Sequence, residues 1–360
     1  MIGSLTRAFD SLFGRGEAAV TVPPLDGALR PNRALDEATV RIALPEVDCL
    51  AVHSGGLVAS AGDAIHVLTG DGTWTRRRSY GSPVACIASV GTDALAVALD
   101  SGYVLIEGGR FDGRRYRVDS AVSCITAMGF ADGMLYVANG SATGTVRDWQ
   151  RDLLERNSTG SIWRIDLEAG TAGRMADGLA WPAGIAIDPG GLVVSEAWRH
   201  RLVRIDLSGK ARPVVLLGDL PGYPGRLSPA AGGYWLSVFA PRSQLVELVL
   251  REPAYRKRMI AEVPRDYWVA PKLRSGRSYY EPLQGGGVKH LGMLKPWAPT
   301  MSFGMGVWLD PGFRARFSLQ SRADGGTHGV TSVIEHEGSA VAAARGDGVV
   351  VRLPAKGGEA

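Results

Sequence analysis

The sequence predicts an all-β protein folded as a six-bladed β-propeller, and two observations lead to this prediction. First, one pattern recurs along the 360 residues: a small residue, Cys or Gly, Leu or Ile, a polar turn and a short alternating apolar strand. Four units show it in full, and two more have Arg226 or Ser332 at the Cys or Gly position. Second, the 48 glycines are spread along the chain, which is typical of many short strands joined by tight turns. Units of short strands that repeat at about 40 residues form the blades of a propeller.

The recurring pattern gives each blade its two innermost strands. The units begin at Val47 (VDCLAVHSGGLVAS), Val84 (VACIASVGTDALAVA), Val122 (VSCITAMGFADGMLYVA), Pro182 (PAGIAIDPGGLVVSE), Leu220 (LPGYPGRLSPAAGGYWLS) and Gly329 (GVTSVIEHEGSAVAAA). Cys49, Cys86 and Cys124 occupy one equivalent position in the first three units. We interpret them as small buried residues of inner strands, because no C-x-x-C pair indicates a zinc site and an odd number of cysteines does not suggest a disulfide framework.

Residues 1–40 are predicted to form an N-terminal amphipathic helix and a linker, ahead of a propeller that spans 41–360. The segment MIGSLTRAFDSLFGRG carries its apolar residues at helical spacing. It lacks the long apolar core of a secretory signal, so we expect the helix to pack on the body of the protein and the location to be cytoplasmic. No apolar run reaches the length of a transmembrane helix, and we expect no integral membrane segment.

Two insertions, near 140–160 and at 251–304, interrupt the regular spacing of the units. The first contains VRDWQRDLLER, whose apolar residues follow a helical period, and the second is rich in aromatic residues. Loops of a propeller gather on one face, where ligands usually bind. We therefore predict that the two insertions lie over one end of the central channel as a lid.

The start of each innermost strand should line that channel. The residues that precede the cysteine position are then expected to point at the axis, and they are Asp48, Ala85, Ser123, Ala183, Gly225 and Thr331. Arg226 stands directly beside this ring. The sequence leaves two interpretations of it open: an ion pair with Asp48 across the channel, or a fork that holds the carboxylate or phosphate of a ligand.

Three segments resemble the strictosidine synthase-like branch of six-bladed propellers, which is related to the paraoxonase and gluconolactonase families. They are Gly178–Gly209, Leu220–Ser237 and Val330–Gly338. In the calcium-dependent relatives, the resemblance implies a metal ion held by oxygen ligands at the channel floor. Ala183, Gly225 and Arg226 replace ligand positions of that pattern, and Thr331 replaces the catalytic glutamate of strictosidine synthase. We therefore expect no metal and no cofactor.

Two residues are candidates for catalysis and five for substrate binding. Asp48 is a general base if burial raises its pKa. His328, in GGTHGVTS, either reaches the channel mouth as an acid or base or lies in a solvated loop. The predicted substrate-binding residues are Arg226, Ser123, Thr331, Tyr223 and Asn139, the last as a loop cap near the mouth.

The function predicted from these observations is catalysis on a small organic molecule in the channel, an anion being one option, without a family-type calcium site. The enzyme would be a metal-independent hydrolase or a C–N or C–C bond-forming lyase. Two alternatives stay open: a non-catalytic propeller that binds a small ligand or a protein, and a calcium-dependent lactonase or esterase with rearranged ligands. The net charge of +4 comes from scattered residues, so we expect no nucleic-acid partner.

Overall fold

The computed structural model describes residues 22–209, 212–278, 280–282, 289–290, 293–294 and 301–354. Over these ranges the chain forms six four-stranded sheets, arranged as the blades of a propeller, so the predicted fold class is confirmed. The predicted N-terminal amphipathic helix lies outside the described residues, as do parts of the insertion predicted at 251–304. Within the described ranges, no helix is long and apolar enough to cross a membrane.

Each blade runs from an innermost strand at the axis to an outermost strand at the periphery. Strand β1 (Val40–Ala43) is the outermost strand of the last blade. Blade 1 contains β2 (Val47–His53), β3 (Gly56–Ala61), β4 (Ala64–Leu68) and β5 (Trp74–Ser79). Blade 2 contains β6 (Val84–Val90), β7 (Ala94–Leu99), β8 (Tyr103–Gly108) and β9 (Arg115–Arg117). Blade 3 contains β10 (Ile125–Ala131), β11 (Met134–Asn139), β12 (Gly160–Asp166) and β13 (Ala172–Leu179).

The second half of the chain repeats this arrangement. Blade 4 contains β14 (Pro182–Asp188), β15 (Gly191–Glu196), β16 (Arg201–Ile205) and β17 (Val214–Leu217). Blade 5 contains β18 (Gly222–Ala230), β19 (Gly233–Pro241), β22 (Gly304–Leu309) and β23 (Ala315–Ser321). Between its second and third strands, β20 (Lys289–His290) and β21 (Met293–Leu294) form a separate short hairpin. Blade 6 contains β24 (Val330–His336), β25 (Ser339–Ala344), β26 (Val349–Pro354) and β1.

The burial of each strand follows its distance from the axis. Strand β7 (ALAVAL) is buried at every position, because neighbouring blades cover both faces of its sheet and no polar face is needed. Strand β5 (WTRRRS) is exposed at all but its first residue, because it lies at the periphery. The first strand closes the ring: β1 pairs with β26, with Val40 opposite Arg352, so segments from the two ends of the propeller share one blade.

Side-chain hydroxyl groups join the inner edges of neighbouring blades. Thr126 donates to the carbonyl of Pro182 at 2.5 Å, from blade 3 to blade 4. Ser195 donates to the carbonyl of Gly225 at 2.6 Å, from blade 4 to blade 5. The inner strand has no partner strand on its axial edge, so these bonds satisfy buried carbonyls that would otherwise be unpaired. They also fix how closely the blades approach at the axis.

Short helices occupy the insertions, as the helical pattern of the first insertion predicts. The α-helices are α1 (Trp149–Glu155), α2 (Gln244–Arg251) and α3 (Pro253–Glu262). The 3₁₀ turns are Gly27–Leu29, Gly109–Phe111, Val146–Asp148, Ala197–Arg199 and Arg265–Tyr267. Hydrogen bonds tie the two insertions together, since Gln150 donates to the carbonyl of Pro271 at 2.9 Å and accepts from Arg265 at 3.1 Å.

Candidate functional site

A single arginine occupies the axis of the propeller. The start of β18 is irregular, with register breaks on both sides of Pro224, which lacks an N–H for a regular ladder. This irregularity turns Arg226 inward, and its side chain is only 12% exposed. Bulges of this kind commonly re-aim a side chain at a functional centre.

The guanidinium group of Arg226 forms four hydrogen bonds to three other blades. Its Nη1 donates to the carbonyls of Asp48 at 3.1 Å and Thr331 at 3.2 Å. Its Nη2 donates to Asp48 Oδ2 at 2.8 Å and to the carbonyl of Ala85 at 3.1 Å. The structure therefore shows the ion pair across the channel, which is the first of the two interpretations that the sequence left open. No N–H of the two terminal nitrogens is left over for a ligand.

Gly184 lies where blades 4 and 5 approach each other closely beside Arg226, and this approach requires a glycine. A Cβ atom on Gly184 would lie 2.4 Å from the carbonyl oxygen of Gly225 and 2.9 Å from the Cα of Arg226. Both are backbone atoms, so neither distance can be relieved by moving a side chain. Gly184 therefore permits the arginine to sit at the axis.

A second arginine, which the sequence analysis missed, completes the charge cluster. Arg345 follows β25 directly, and its Nη1 lies 3.2 Å from Asp48 Oδ1. Its side chain is 36% exposed, so it reaches from the surface to the axis. The available signal was a charged residue placed directly after SAVAAA, at the end of an otherwise apolar strand.

The two arginines hold Asp48 in its charged form. Burial alone raises the pKa of Asp48, but the charges and hydrogen bonds of Arg226 and Arg345 outweigh it and lower the pKa to about 2. Burial likewise lowers the pKa of Arg226, and the charge of Asp48 outweighs it, so that pKa is raised. The sequence analysis made Asp48 a general base only if burial raised its pKa. That expectation is wrong for this structure, and the carboxylate is a weak base at neutral pH.

A cavity of about 70 Å³ lies between this cluster and the insertions. Its walls are aromatic and aliphatic, with Trp149 and Leu273 from the insertions beside Trp181 and Phe239. The rings of Trp149 and Phe239 meet edge to face with centroids 5.5 Å apart, a favoured geometry for aromatic pairs. Both insertions thus contribute to the wall of the cavity, in the place where the lid was predicted.

Trp181 is held in an unusual backbone conformation beside the cavity. Its φ is 56°, the left-handed region that bulky residues seldom adopt. Its carbonyl accepts from the N–H of Ala197 at 3.0 Å, and Glu196 Oε1 accepts from the N–H of Ala180 at 2.8 Å. Conformations of this kind persist only where the surroundings impose them, and they concentrate at ligand sites.

Three of the predicted residues lie together at the cavity, namely Asp48, Arg226 and Thr331. Thr331 donates from its hydroxyl to the carbonyl of Asp48 at 2.7 Å, so this hydroxyl belongs to the axial hydrogen-bond network. The structure places two threonine hydroxyls at the cavity, and the other, that of Thr126, is bonded to Pro182 as described above. The cavity therefore offers a ligand cationic charge and apolar walls.

The remaining predicted binding residues lie outside the cavity wall. Tyr223 is completely buried with its ring centroid 4.7 Å from that of His200. Asn139 is buried, and its Oδ1 accepts from the N–H of Cys124 at 3.0 Å. Ser123 donates to the carbonyl of Gly144 at 3.2 Å. In this structure the three side chains form internal contacts that support the blades and the first insertion.

His328 lies neither in a solvated loop nor at the channel mouth, so both expected positions are wrong. It is 1% exposed, with Nε2 2.7 Å from the carbonyl of Arg322 and Nδ1 2.8 Å from the hydroxyl of Ser302. Burial lowers its pKa, and the charge of Arg274 lowers it further. The ring is therefore a neutral internal side chain that connects segments on either side of β23.

The residues at the axis do not fit a calcium ion of the family type. Calcium needs several hard oxygen ligands at once, and the carboxylate of Asp48 and the nearby carbonyls already accept from Arg226. A permanent cation also occupies the centre itself. Within the described ranges, no cluster of three or more His, Cys, Asp or Glu side chains has metal-binding geometry.

Comparisons with known proteins give two partial sequence matches. No protein-family model matches the chain. It is 33% identical over 108 residues to the strictosidine synthase-like protein 13 of Arabidopsis thaliana, a match that covers 29% of this chain and 27% of that protein. It is 25% identical over 170 residues to the adipocyte plasma membrane-associated protein of Danio rerio, covering 41% of each. The matched segments thus span less than half of either relative.

Solved structures resemble the chain only loosely. A chain of the nidogen/laminin complex aligns with a TM-score of 0.42 and 16% identity, over 54% of this chain and 72% of its own length. A candidate gluconolactonase aligns with a TM-score of 0.40 and 14% identity, over 58% of this chain and 75% of that one. Likenesses of this degree carry no argument about activity. The two sequence relatives confirm the predicted resemblance: the chain is a six-bladed propeller similar to the strictosidine synthase-like proteins.

Proposed function

We propose that the chain binds a small organic anion with an apolar or aromatic body in the cavity between the axial ion pair and the insertions. The observation that supports this proposal is the charge of the cavity floor. Arg226 and Arg345 both contact the single carboxylate of Asp48. The side chains that line this aromatic cavity thus include two cations and one carboxylate, while Glu46 and Asp100 line the adjoining pocket beside Arg345. The excess of guanidinium groups at the cavity wall favours an anionic ligand.

Arg345 is the residue that would bind the anion. The terminal N–H groups of Arg226 are all used inside the protein, whereas Arg345 contacts Asp48 through one nitrogen at 3.2 Å and is partly exposed. Trp149 and Leu273 also line a larger groove on the insertion face, as Arg345 does. These three side chains therefore separate the cavity from the surface and lie on the path that a ligand would take.

The size of the cavity limits the ligand. A cavity of about 70 Å³ holds a few water molecules, whereas sites for drug-sized ligands measure about 300–1,000 Å³. A cavity of about 150 Å³ is the size that binds benzene, so we expect a ring with one carboxylate to enter only if the insertions are displaced. The predicted hydrolase or lyase activity stays a prediction, since the depressed pKa of Asp48 removes it as a general base. A calcium-dependent lactonase is not proposed, because the axial oxygens are bonded to Arg226.

Calorimetric titration with benzoate tests the proposal. We expect Arg345→Gln to weaken benzoate binding about tenfold, from the loss of one charge-assisted hydrogen bond, and to leave the binding of benzyl alcohol unchanged. Arg352→Gln is the matched control, because Arg352 pairs with Glu337 on an outer strand. Equal affinity of the wild-type protein for benzoate and benzyl alcohol, or an equal loss in the control, would contradict the proposal.

A further inference from the structure

The axial channel has a second cavity on the side of Arg226 that faces away from the insertions. It measures about 690 Å³ and is lined by the innermost strands of all six blades. This volume lies within the usual range for small-molecule sites. Arg226 lines both this cavity and the smaller one described above, so the guanidinium group divides the channel into two compartments.

The wall of this lower cavity combines apolar side chains with polar groups that are largely bonded within the protein. Side chains such as Leu50, Ile87, Met128 and Ile185 are nearly buried, and they line the channel. Its polar side chains largely serve neighbouring blades. Ser332 accepts from the N–H of Leu50 at 3.2 Å, Ser89 donates to the carbonyl of Val52 at 2.6 Å, and the thiol of Cys49 lies 3.4 Å from the carbonyl of Ile87. A ligand in this compartment would therefore meet these apolar side chains together with backbone groups on the axial edges of the innermost strands.

The mouth of the lower cavity is acidic. Glu335 lines it near the end of β24, about four residues and so about 13 Å along the strand from Thr331 at the level of Arg226. The hairpin turns at this end also carry the exposed carboxylates of Asp93 and Asp132, and that of Glu337, which is paired with Arg352. The opposite end of the channel carries Arg345. The channel thus has a carboxylate side chain at one mouth and a guanidinium group at the other.

We propose that the lower cavity is a second binding site, which takes a small molecule with an apolar body and a cationic amine head. The apolar body would fill the channel below Arg226, where burial of carbon is favourable. The amine would stay at the mouth beside Glu335, where it keeps part of its hydration. This site is independent of the anion site proposed above, because Arg226 and Asp48 separate the two.

A series of straight-chain amines tests the site by calorimetry, from butylamine to decylamine, each with the matching alcohol. We expect each added methylene to tighten binding about fourfold until the chain reaches Arg226. Amines should bind more tightly than alcohols, and added salt should reduce only that difference. Glu335→Gln should remove the preference for amines and leave the alcohols unchanged, because the amide side chain would keep an oxygen for the N–H of Ala231, which Glu335 accepts at 3.2 Å.

Substitutions that block the channel provide a second test of this binding site. Ser228 lines the cavity in β18, and we expect Ser228→Trp to weaken decylamine binding at least about tenfold, with Ser120→Trp in an exposed turn as the matched control. If Ser228→Trp does not fold, Ala88→Leu narrows the same channel. Binding that has no chain-length dependence, or that survives both blocking variants, would overturn the proposal. Loss of decylamine binding when benzoate saturates the anion site would overturn the separation of the two sites.

Discussion

Replacing Arg226 by glutamine tests whether the axial guanidinium group holds the ring of blades together. The change removes the cation and at least two of its four hydrogen bonds, because the amide of glutamine has only two N–H donors. It leaves the buried carboxylate of Asp48 with Arg345 alone, which contacts it through one nitrogen at 3.2 Å. The carbonyls of Ala85 and Thr331 would also lose their donor.

The expected loss of stability follows from the burial of the pair. The two side chains are only 12% and 8% exposed, and removing one partner of a buried ion pair costs about 3–5 kcal/mol. For a chain of this length the entropy of unfolding is about 0.8 kcal/mol/K, so a loss of about 4 kcal/mol lowers the Tm by about 5 °C. The individual hydrogen bonds are already part of this loss, because energies within one network are not additive.

Chemical denaturation and calorimetry of the wild type and three variants would measure the effect. Arg258→Gln is the matched control: Arg258 pairs with Glu262 at 3.2 Å with side chains 77% and 59% exposed, and such pairs contribute about 1 kcal/mol or less. Asp48→Asn combined with Arg226→Gln should recover part of the loss, because no charge is then left uncompensated at the axis. If Arg226→Gln unfolds within about 1 kcal/mol of the wild type, the guanidinium group does not hold the ring.

Two further predictions concern the same centre. The pKa of Asp48 is about 2 in the folded protein against an ordinary 3.8, which contributes about 2 kcal/mol of stability above pH 4 that is lost as the pH falls from about 4 to 2. Urea denaturation across this pH range should therefore show that the free energy of unfolding falls less steeply with pH in Asp48→Asn than in the wild type. Equal slopes in the two proteins would contradict the depressed pKa. Neither calcium nor a chelator should change the wild-type Tm. Arg226→Asn should gain stability in calcium by mass action, because the axial oxygens that accept from Arg226 in the wild type are then free to bind the ion. A calcium-dependent rise in the wild type would contradict the poor fit of the site.

The sequence was sufficient to predict the blades and to place Asp48 and Arg226 at the axis, with their ion pair as one of two interpretations, and it was insufficient for the surroundings of the site. Arg226 and Asp48 are 178 residues apart, and only the alignment of the repeats places both at the axis. That alignment works because each blade repeats one local pattern of strand and turn. The position of Arg345 could not be aligned in this way, because it lies outside the pattern, after the second strand of its unit.

His328 shows why the loops resist prediction. Its sequence context, GGTHGVTS, has the composition of a solvated turn. The ring is nevertheless buried by Ser302 and Arg322, and the backbone N–H of His328 donates to the carboxylate of Asp347 at 2.8 Å. These partners come from a long insertion, a strand end and another hairpin. No periodicity connects segments of these three kinds, so the burial of the ring depends on tertiary contacts that composition does not encode.

The identity of the axial cation determines what this propeller can do. A metal ion at a channel floor can keep a coordination position open for a substrate and polarise it. In the guanidinium group of Arg226, all the N–H groups of the terminal nitrogens are bonded to Asp48, Ala85 and Thr331. Its buried Nε has no partner among the described residues, and this N–H can donate a hydrogen bond but cannot coordinate a substrate as a metal ion would. The guanidinium group therefore replaces only the structural role of a metal ion. Its charge joins the blades and does not depend on the ion content of the solution. The chemistry available to a ligand then lies in the side chains around the axis, Arg345 at one end of the channel and Glu335 at the other, and this is why we propose binding at both ends.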